Sequence, residues 1–427
     1  MLKAQDVFVP GSYPQHTYVE RAGDELETSL KDALDTPGQV VSLSGPSKSG
    51  KTVLVEKVVG RDLLISISGA SVHSPDDVWN FVLDWMDVPS ATSKTRTIGG
   101  SIGADLTAKG SIGVPFVTKG EASVTGKTEL RAEGRSEEKQ KRRGLQQVVD
   151  EIAESEFVVL LDDFHYMERD VQAQVAKSLK EAVRLNVRIA TASVSHRGDD
   201  VVRANPELRG RVRAIDLKYW TPEELSKIAI AGFGTLNGVI DARALNTFVK
   251  ESAGSPQLMQ SLCLQACFVL GLREKADSQA PVRFVLDDGQ LQRVMEQTSK
   301  STDFRSLVDI LDAGPRTRGT ERKTYKCSDA TEGDVYRVVL KAMASDPPRL
   351  SFPYDQLLSR TASICLGESP VGSSVTGTCL HMSKLALEKF PNDRAIDWDE
   401  QKQVFDIPDP YLLFYLRWSG RLIEKFP

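Results

Sequence analysis

The sequence predicts a parallel α/β sheet followed by a helical unit and a small C-terminal domain. Short apolar runs alternate with amphipathic segments through the first half. That alternation is the mark of a parallel sheet with crossover helices. The run at 39–43 leads directly into the glycine-rich stretch Gly45, Pro46, Ser47, Lys48, Ser49, Gly50, Lys51, Thr52. After Trp220 the pattern becomes helical only, and a polar, basic stretch at 316–326 separates the last part. A chain of 427 residues exceeds one core, which suits this division. The expected limits are 1–219 for the sheet domain, 220–315 for a helical lid and 327–427 for the C-terminal domain.

In order, strands are expected at 39–43, 63–68, 157–161, 188–193 and 214–217, with a helix at 51–59 after the glycine-rich segment. A second helix, at 74–86, opens on Ser74 as cap with Pro75 at its first position. An insertion at 97–134 alternates apolar and polar residues. Ile102, Ala104, Leu106 and Ala108 share one face, and Ala122, Val124, Leu130 and Ala132 share one face of a second strand. Period two predicts an amphipathic β-hairpin. Its apolar face could pack on its own domain, meet another subunit or partner, or meet a membrane. A helix at 136–154 then returns to the sheet. Thr221-Pro222-Glu223-Glu224 opens the lid, with further helices at 242–251, 255–270 and 287–298.

Composition narrows the function classes. With 40% hydrophobic and 26% charged residues the chain reads as an ordinary globular protein. A net charge of −5 excludes the whole surface as a general binder of nucleic acid, though a local basic face remains open. The five cysteines form no CxxC pair, and no histidine stands near Cys263 or Cys267 to complete a zinc set. They read as buried free thiols, fitting a reducing cytoplasm. Residues 1–10 lack a signal-peptide pattern, and the longest apolar run, 411–416, is far short of the roughly 20 residues that span a bilayer.

The segment Gly45 to Thr52 is a complete GxxxxGK[ST] loop between a strand and a helix. Its glycines let successive N–H groups curl inward onto phosphate oxygens. Lys51 would bridge the β- and γ-phosphates, Thr52 would hold Mg²⁺, and the following helix adds its positive end. These features predict an Mg²⁺-dependent, ATP-binding P-loop protein. Asp162 ends an apolar strand, where a Walker B aspartate orients the shell of Mg²⁺. Asp163 would then position the attacking water, or else serve as a turn or cap residue.

This order resembles the AAA+/STAND superfamily of P-loop NTPases, most nearly the origin-recognition-like and archaeal or bacterial STAND-like ATPases. Three further stretches are similar to that pattern. Tyr18-Val19-Glu20-Arg21 stands where a box cradling adenine is found, which makes Arg21 a nucleotide contact. Asn205 to Val212 is similar to the segment bearing a trans-acting arginine finger, which implies Arg211 first and Arg209 second. Gly254-Ser255-Pro256-Gln257 is similar to the sensor 2 segment on a lid helix. The sequence departs from the family in two places: Gln257 replaces the expected arginine, and the adenine box lacks its glycine. Ser193 or Ser195 takes the sensor 1 place at a strand end, Ser193 being preferred. The resemblance covers about 17–270, with a C-terminal winged helix as a common appendage.

In the last domain the helix at 373–389 would be a recognition helix, offering Lys384, Lys389 and His381. A winged helix serving protein contacts or lid packing is the other reading. The aromatics of 411–418 stand at helical spacing and read as core, and Arg316, Arg318, Arg322, Lys323 and Lys326 form the best nucleic-acid candidate or a solvated run. The resemblance implies an ATP-driven switch that assembles as a homo-oligomer with a protein partner, in bacterial defence or regulation. A DNA-binding loader or transposition-type regulator is the alternative. A module that holds ATP without turning it over is a third.

Overall fold

The structure, a computed structural model, describes residues 1–21, 25–88, 144–194, 200–316, 319, 321–390, 395–400 and 402–423. The predicted hairpin at 97–134, Ser195 and Arg318 lie outside them, as does the first part of the helix expected at 136–154.

Five parallel strands form the central sheet: β1 (Val40–Ser44), β2 (Leu64–Ser68), β3 (Val158–Asp162), β4 (Arg188–Ser193) and β5 (Val212–Asp216). Their order is β2-β3-β4-β1-β5. Every residue of β1 is buried, as a strand covered on both faces requires. Side chains alternate between two cores. Val40, Ile65, Ile67, Val159, Leu161 and Ile189 face one core, shared with α4 (Pro75–Trp85), α5 (Leu145–Ile152) and α6 (Arg169–Arg184). Val41, Leu43, Leu64, Val158, Leu160 and Ala190 face the other, against α2 (Leu26–Asp35) and α3 (Lys51–Val59). Ser74 and Asp77 cap α4 reciprocally, with Pro75 behind the cap. A short helix, α7 (Asp200–Ala204), precedes β5.

The second unit contains α8 (Pro222–Thr235), α9 (Ala242–Glu251), α10 (Pro256–Val269) and α11 (Asp288–Lys300). The sequence predicts helices alone here, but the unit also holds two strands: β6 (Gly238–Ile240) pairs in parallel with β7 (Val282–Phe284). The N-terminal arm belongs to this unit's core, because Ala4 and Val7 of α1 (Ala4–Val7) and the following Phe8 are buried there.

The C-terminal part runs α12 (Arg305–Ala313), β8 (Tyr325–Lys326), β9 (Glu332–Gly333), α13 (Val335–Ala344), β10 (Ser351–Pro353), α14 (Tyr354–Ile364), α15 (Gly372–Lys389), β11 (Asp397–Asp399), β12 (Val404–Asp406) and α16 (Pro410–Trp418). Strand β10 pairs antiparallel with β12. Helix α16 is buried between two cores: Leu412, Leu413 and Leu416 face the C-terminal one, and Tyr411 and Phe414 face the helical one. Its aromatics are therefore core. Four cysteines are buried and free, while the free Cys365 is partly exposed. Among the described residues no helix is long and apolar enough to cross a membrane.

A buried ion pair helps to tie the last two units together. Arg417 donates from Nε and Nη2 to the two carboxylate oxygens of Glu251, each at 2.8 Å, and Trp418 Nε1 donates to Glu251 at 2.7 Å. The Arg417 and Glu251 side chains are 9% and 2% exposed. Removing one partner strands a buried charge, so Arg417→Ala is expected to cost about 3–5 kcal/mol. Calorimetry checks this: the two units should melt apart, and an unchanged melting curve would show that the pair contributes nothing.

Candidate functional site

The glycine-rich loop leaves the C-terminal end of β1 and enters α3 at Lys51. Gly50 has φ +93°, a left-handed value that costs glycine nothing. A Cβ on Gly45 would sit 2.8 Å from Leu217 Cβ, so only glycine lets the loop start against the segment after β5. The curl leaves Lys51 8% exposed, with Nζ donating to the carbonyls of Gly45 (3.1 Å) and Pro46 (2.9 Å). Burial holds its pKa below the ordinary lysine value, against the pull of Asp162 and Asp163. The Ser49 hydroxyl is buried without a hydrogen-bond partner among the described residues.

Strand β3 brings the carboxylates to this loop. The Thr52 hydroxyl donates to Asp162 Oδ2 at 2.6 Å, joining residues 110 positions apart. Asp162 Oδ1 accepts the Asp163 N–H at 2.9 Å. Asp163 has left-handed backbone (φ 55°, ψ 43°) as the cap of a short 3₁₀ turn. Its carboxyl pKa is raised, first by burial and then by Asp162.

A cavity of about 490 Å³ opens over the loop. Its wall includes Ser47, Lys48, Ser49, Gly50, Lys51, Thr52, Asp162 and Asp163. Gly45 and Pro46 form the root of the loop through the carbonyls that hold Lys51. The helical unit contributes Pro256, Gln257 and Gln260, the N-terminal arm contributes Tyr13, Thr17 and Tyr18, and the C-terminal unit contributes Pro408 and Asp409. Gln257, on the first turn of α10, thus faces the space where sensor 2 was expected, and the positive end of a 14-residue helix accompanies it.

Other expected residues sit differently. Arg21 lines the cavity, but its guanidinium holds the segment that connects the sheet to the helical unit. It donates to the carbonyls of Lys218 (3.0 Å) and Tyr219 (3.3 Å), pairs with Glu224 (3.5 Å) and lies over the Trp220 ring. Ser193 lies in register with Ser44 at the end of β4 and is 3% exposed, while the next residue, Val194, forms the wall. Arg211 is exposed, and its carbonyl accepts from Val40 N–H at 2.8 Å, at the opposite end of β1 from Gly45. Five residues of strand put Arg211 on the order of 16 Å from its own loop. Arg209 is exposed beside it.

The sequence reading missed Trp220, whose Nε1 donates to the Ser49 carbonyl at 2.9 Å and fastens the connecting segment to the loop. It also missed His165, Pro408 and Asp409 in the wall. No periodicity marks these residues, although Trp220 does stand directly before the legible Thr221-Pro222 cap. In the basic stretch, Arg322 is spent on Asp334 (2.6 Å) and the Ala313 carbonyl (2.8 Å), and Lys323 pairs with Glu368. On α15, His381, Lys384 and Lys389 are exposed, with His381 Nδ1 at 2.9 Å from the Tyr336 hydroxyl.

A parallel sheet ordered β2-β3-β4-β1-β5, with a GxxxxGKT loop on β1 and an acidic end on β3, is a P-loop NTPase fold. No family profile and no curated protein matches the chain. Solved structures do. Cdc6p from Pyrobaculum aerophilum is 14% identical with a TM-score of 0.43, over 99% of each chain. A Walker-type ATPase of Pyrococcus abyssi is 14% identical with a TM-score of 0.48, over 92% of this chain and 95% of that one. The ORC2 protein of Aeropyrum pernix, in ADPNP–ADP complexes, is 13% identical with a TM-score of 0.46, over 99% and 98%.

Proposed function

We propose that the chain is an ATP-binding and ATP-hydrolysing switch, in which nucleotide draws the helical and C-terminal units onto the P-loop and favours a homo-oligomer. One observation carries this reading: a single cavity is walled by the loop, the paired Thr52 and Asp162, the lid helix and Pro408–Asp409 of the C-terminal unit. A ligand filling it would touch all three units, which is what differential stabilisation of a closed state requires.

In this reading the loop N–H groups and Lys51 bind the β- and γ-phosphates. A hydroxyl hydrogen-bonded to a carboxylate at 2.6 Å is a hard-oxygen donor set suited to Mg²⁺, so Thr52 and Asp162 would hold that ion. Mg²⁺, when bound, supplies charge neutralisation at the phosphate oxygens. Asp163 orients water and accepts its proton as the water oxygen bonds to the γ-phosphorus and the bridging oxygen departs with ADP. Ser193 supports the strand end one residue behind the wall. Arg211, too far from its own loop, serves a neighbouring subunit's γ-phosphate. The C-terminal unit acts as a winged helix for protein contact or lid closure, and a role in bacterial defence or regulation rests on the sequence resemblance alone.

Size measurement by light scattering, with and without a slowly hydrolysed ATP analogue and with duplex DNA, tests the switch. ATP-dependent growth in mass is expected. Arg211→Ala should lower turnover by roughly 10³-fold or more where subunits assemble, and an equal loss in isolated monomers contradicts the finger. Salt-dependent duplex binding, using the exposed Lys384 and Lys389, would instead favour the DNA-binding loader. Retained ATP binding without turnover would make the nucleotide structural.

A further inference from the structure

We propose that Cys327 and Cys365 are a reversible redox pair, which a disulfide oxidant closes into an intrachain disulfide that staples the β8–β9 hairpin to the end of α14. The inference stands apart from the P-loop reading and concerns the C-terminal unit alone.

Backbone register carries the pairing. Cys327 opens the turn between β8 and β9, and Cys365 follows the last residue of α14. The two meet in an isolated antiparallel bridge. Ser328 N–H donates to the Ile364 carbonyl and Leu366 N–H donates to the Lys326 carbonyl, each at 2.8 Å. These bonds flank the pair rather than join it. In an antiparallel ladder that is the non-hydrogen-bonded site, where opposed Cα atoms lie about 4.5 Å apart and their side chains leave on the same face. Disulfides span Cα separations of about 4.4–6.8 Å, so closure asks little movement of either backbone. Cys327 is further held in its turn, its N–H donating to the Thr331 carbonyl at 2.8 Å and its carbonyl accepting from Ala330 N–H at 3.1 Å. Cys365 packs against the small core of Tyr325, Cys327 and Val338.

Exposure sets the order of events. Cys365 is partly exposed, whereas Cys327 is 1% exposed. The thiols of Cys263, Cys267 and Cys379 are fully buried. With oxidised glutathione as the oxidant, the Cys365 thiolate attacks one of its sulfurs. A new S–S bond forms as the old one breaks, and one glutathione thiolate leaves. Cys327 then gives its proton to solvent and attacks Cys365 Sγ, expelling the second glutathione thiolate. The two cysteines lose two electrons and two protons, and the oxidant takes them up as two thiols. Burial raises both thiols above the ordinary cysteine value, with Lys341 drawing Cys327 back and Cys327 raising Cys365 further. Few thiolates stand ready at neutral pH, so closure is slow and answers sustained oxidation.

The test incubates the full-length chain with oxidised glutathione, counts its thiols and maps its peptides. Wild type should lose two of its five thiols, become two hydrogens lighter and yield one linked Cys327–Cys365 peptide, all reversed by dithiothreitol. The bond closes a loop of roughly 40 residues, so the oxidised protein should melt several degrees higher than the reduced one. Cys327→Ser should stop at a glutathione adduct on Cys365, and Cys365→Ser should keep every remaining thiol. Retention of all five thiols by wild type, or linkage through any other cysteine, overturns the proposal without any variant having to fold. A glutathione adduct that persists on wild-type Cys365 overturns it too, since Cys327 then fails to reach its partner. A lower melting temperature on oxidation would contradict the fit of the bond to the native backbone.

Discussion

Lys51→Ala is expected to weaken nucleotide binding by on the order of 10²- to 10⁴-fold, from the loss of two charge-assisted hydrogen bonds of about 1.5–3 kcal/mol each. The amine is already desolvated, with two backbone carbonyls at 2.9 and 3.1 Å standing where phosphate oxygens would compete for it. Burial lowers its pKa against the pull of Asp162 and Asp163, so the folded protein carries this charge at a cost that a bound phosphate would relieve. The effect therefore has two signs. Without nucleotide, Lys51→Ala should melt no lower than wild type. With ATP, the wild-type melting temperature should climb and that of the variant should not. Titration with a fluorescent ATP analogue checks the affinity directly, and undiminished binding by Lys51→Ala would remove the loop from its assigned role.

What could be read in advance divides by the distance over which the chemistry acts. The phosphate loop needs its glycines, lysine and threonine at consecutive positions, so it is legible as a string, and Asp162 is legible because it ends an apolar run. The inner strands β1 and β3 were recoverable to within a residue or two because parallel strands buried on both faces leave continuous apolar runs, whereas the edge strands β2 and β5 are partly exposed. The helices of the helical unit were recoverable because Thr221, Asp241, Ser255 and Asp287 cap them. Contacts that depend on folding were not legible. The Trp220–Ser49 bond spans 171 positions and the Gln260–Thr17 bond 243, and nothing local announces either. Strands β6 and β7 hold three residues each, too few to display period two. Arg21 looked available for a base because a sequence does not show that Glu224 and two carbonyls of the connecting segment claim it. Arg322 and Lys323 looked like a basic patch until their acidic partners came into place.

The second large effect concerns turnover. Asp163→Asn is expected to retain nucleotide affinity and lose hydrolysis by roughly 10²- to 10⁴-fold, the usual contribution of a positioned general base. Asparagine is the appropriate substitute because Asp163 occupies left-handed backbone, which Asn adopts at less cost than alanine. The main-chain N–H that meets Asp162 at 2.9 Å is kept, so the cation site should be undisturbed. The pKa adds a second readout. Burial and Asp162 raise it, so the carboxylate takes up its proton above the ordinary carboxylate range as pH falls. Turnover should decline along that limb while ATP affinity does not follow it. For stability the sign is opposite to that of a salt-bridged carboxylate. A raised folded pKa costs the fold stability once pH exceeds that pKa, and the cost disappears below the unfolded value of about 3.9. Asp163→Asn should therefore melt higher than wild type at neutral pH, with the gap closing toward acid. Hydrolysis at the wild-type rate by Asp163→Asn would return this residue to a turn-forming role and pass the base to another group on the cavity wall, such as His165 two positions on.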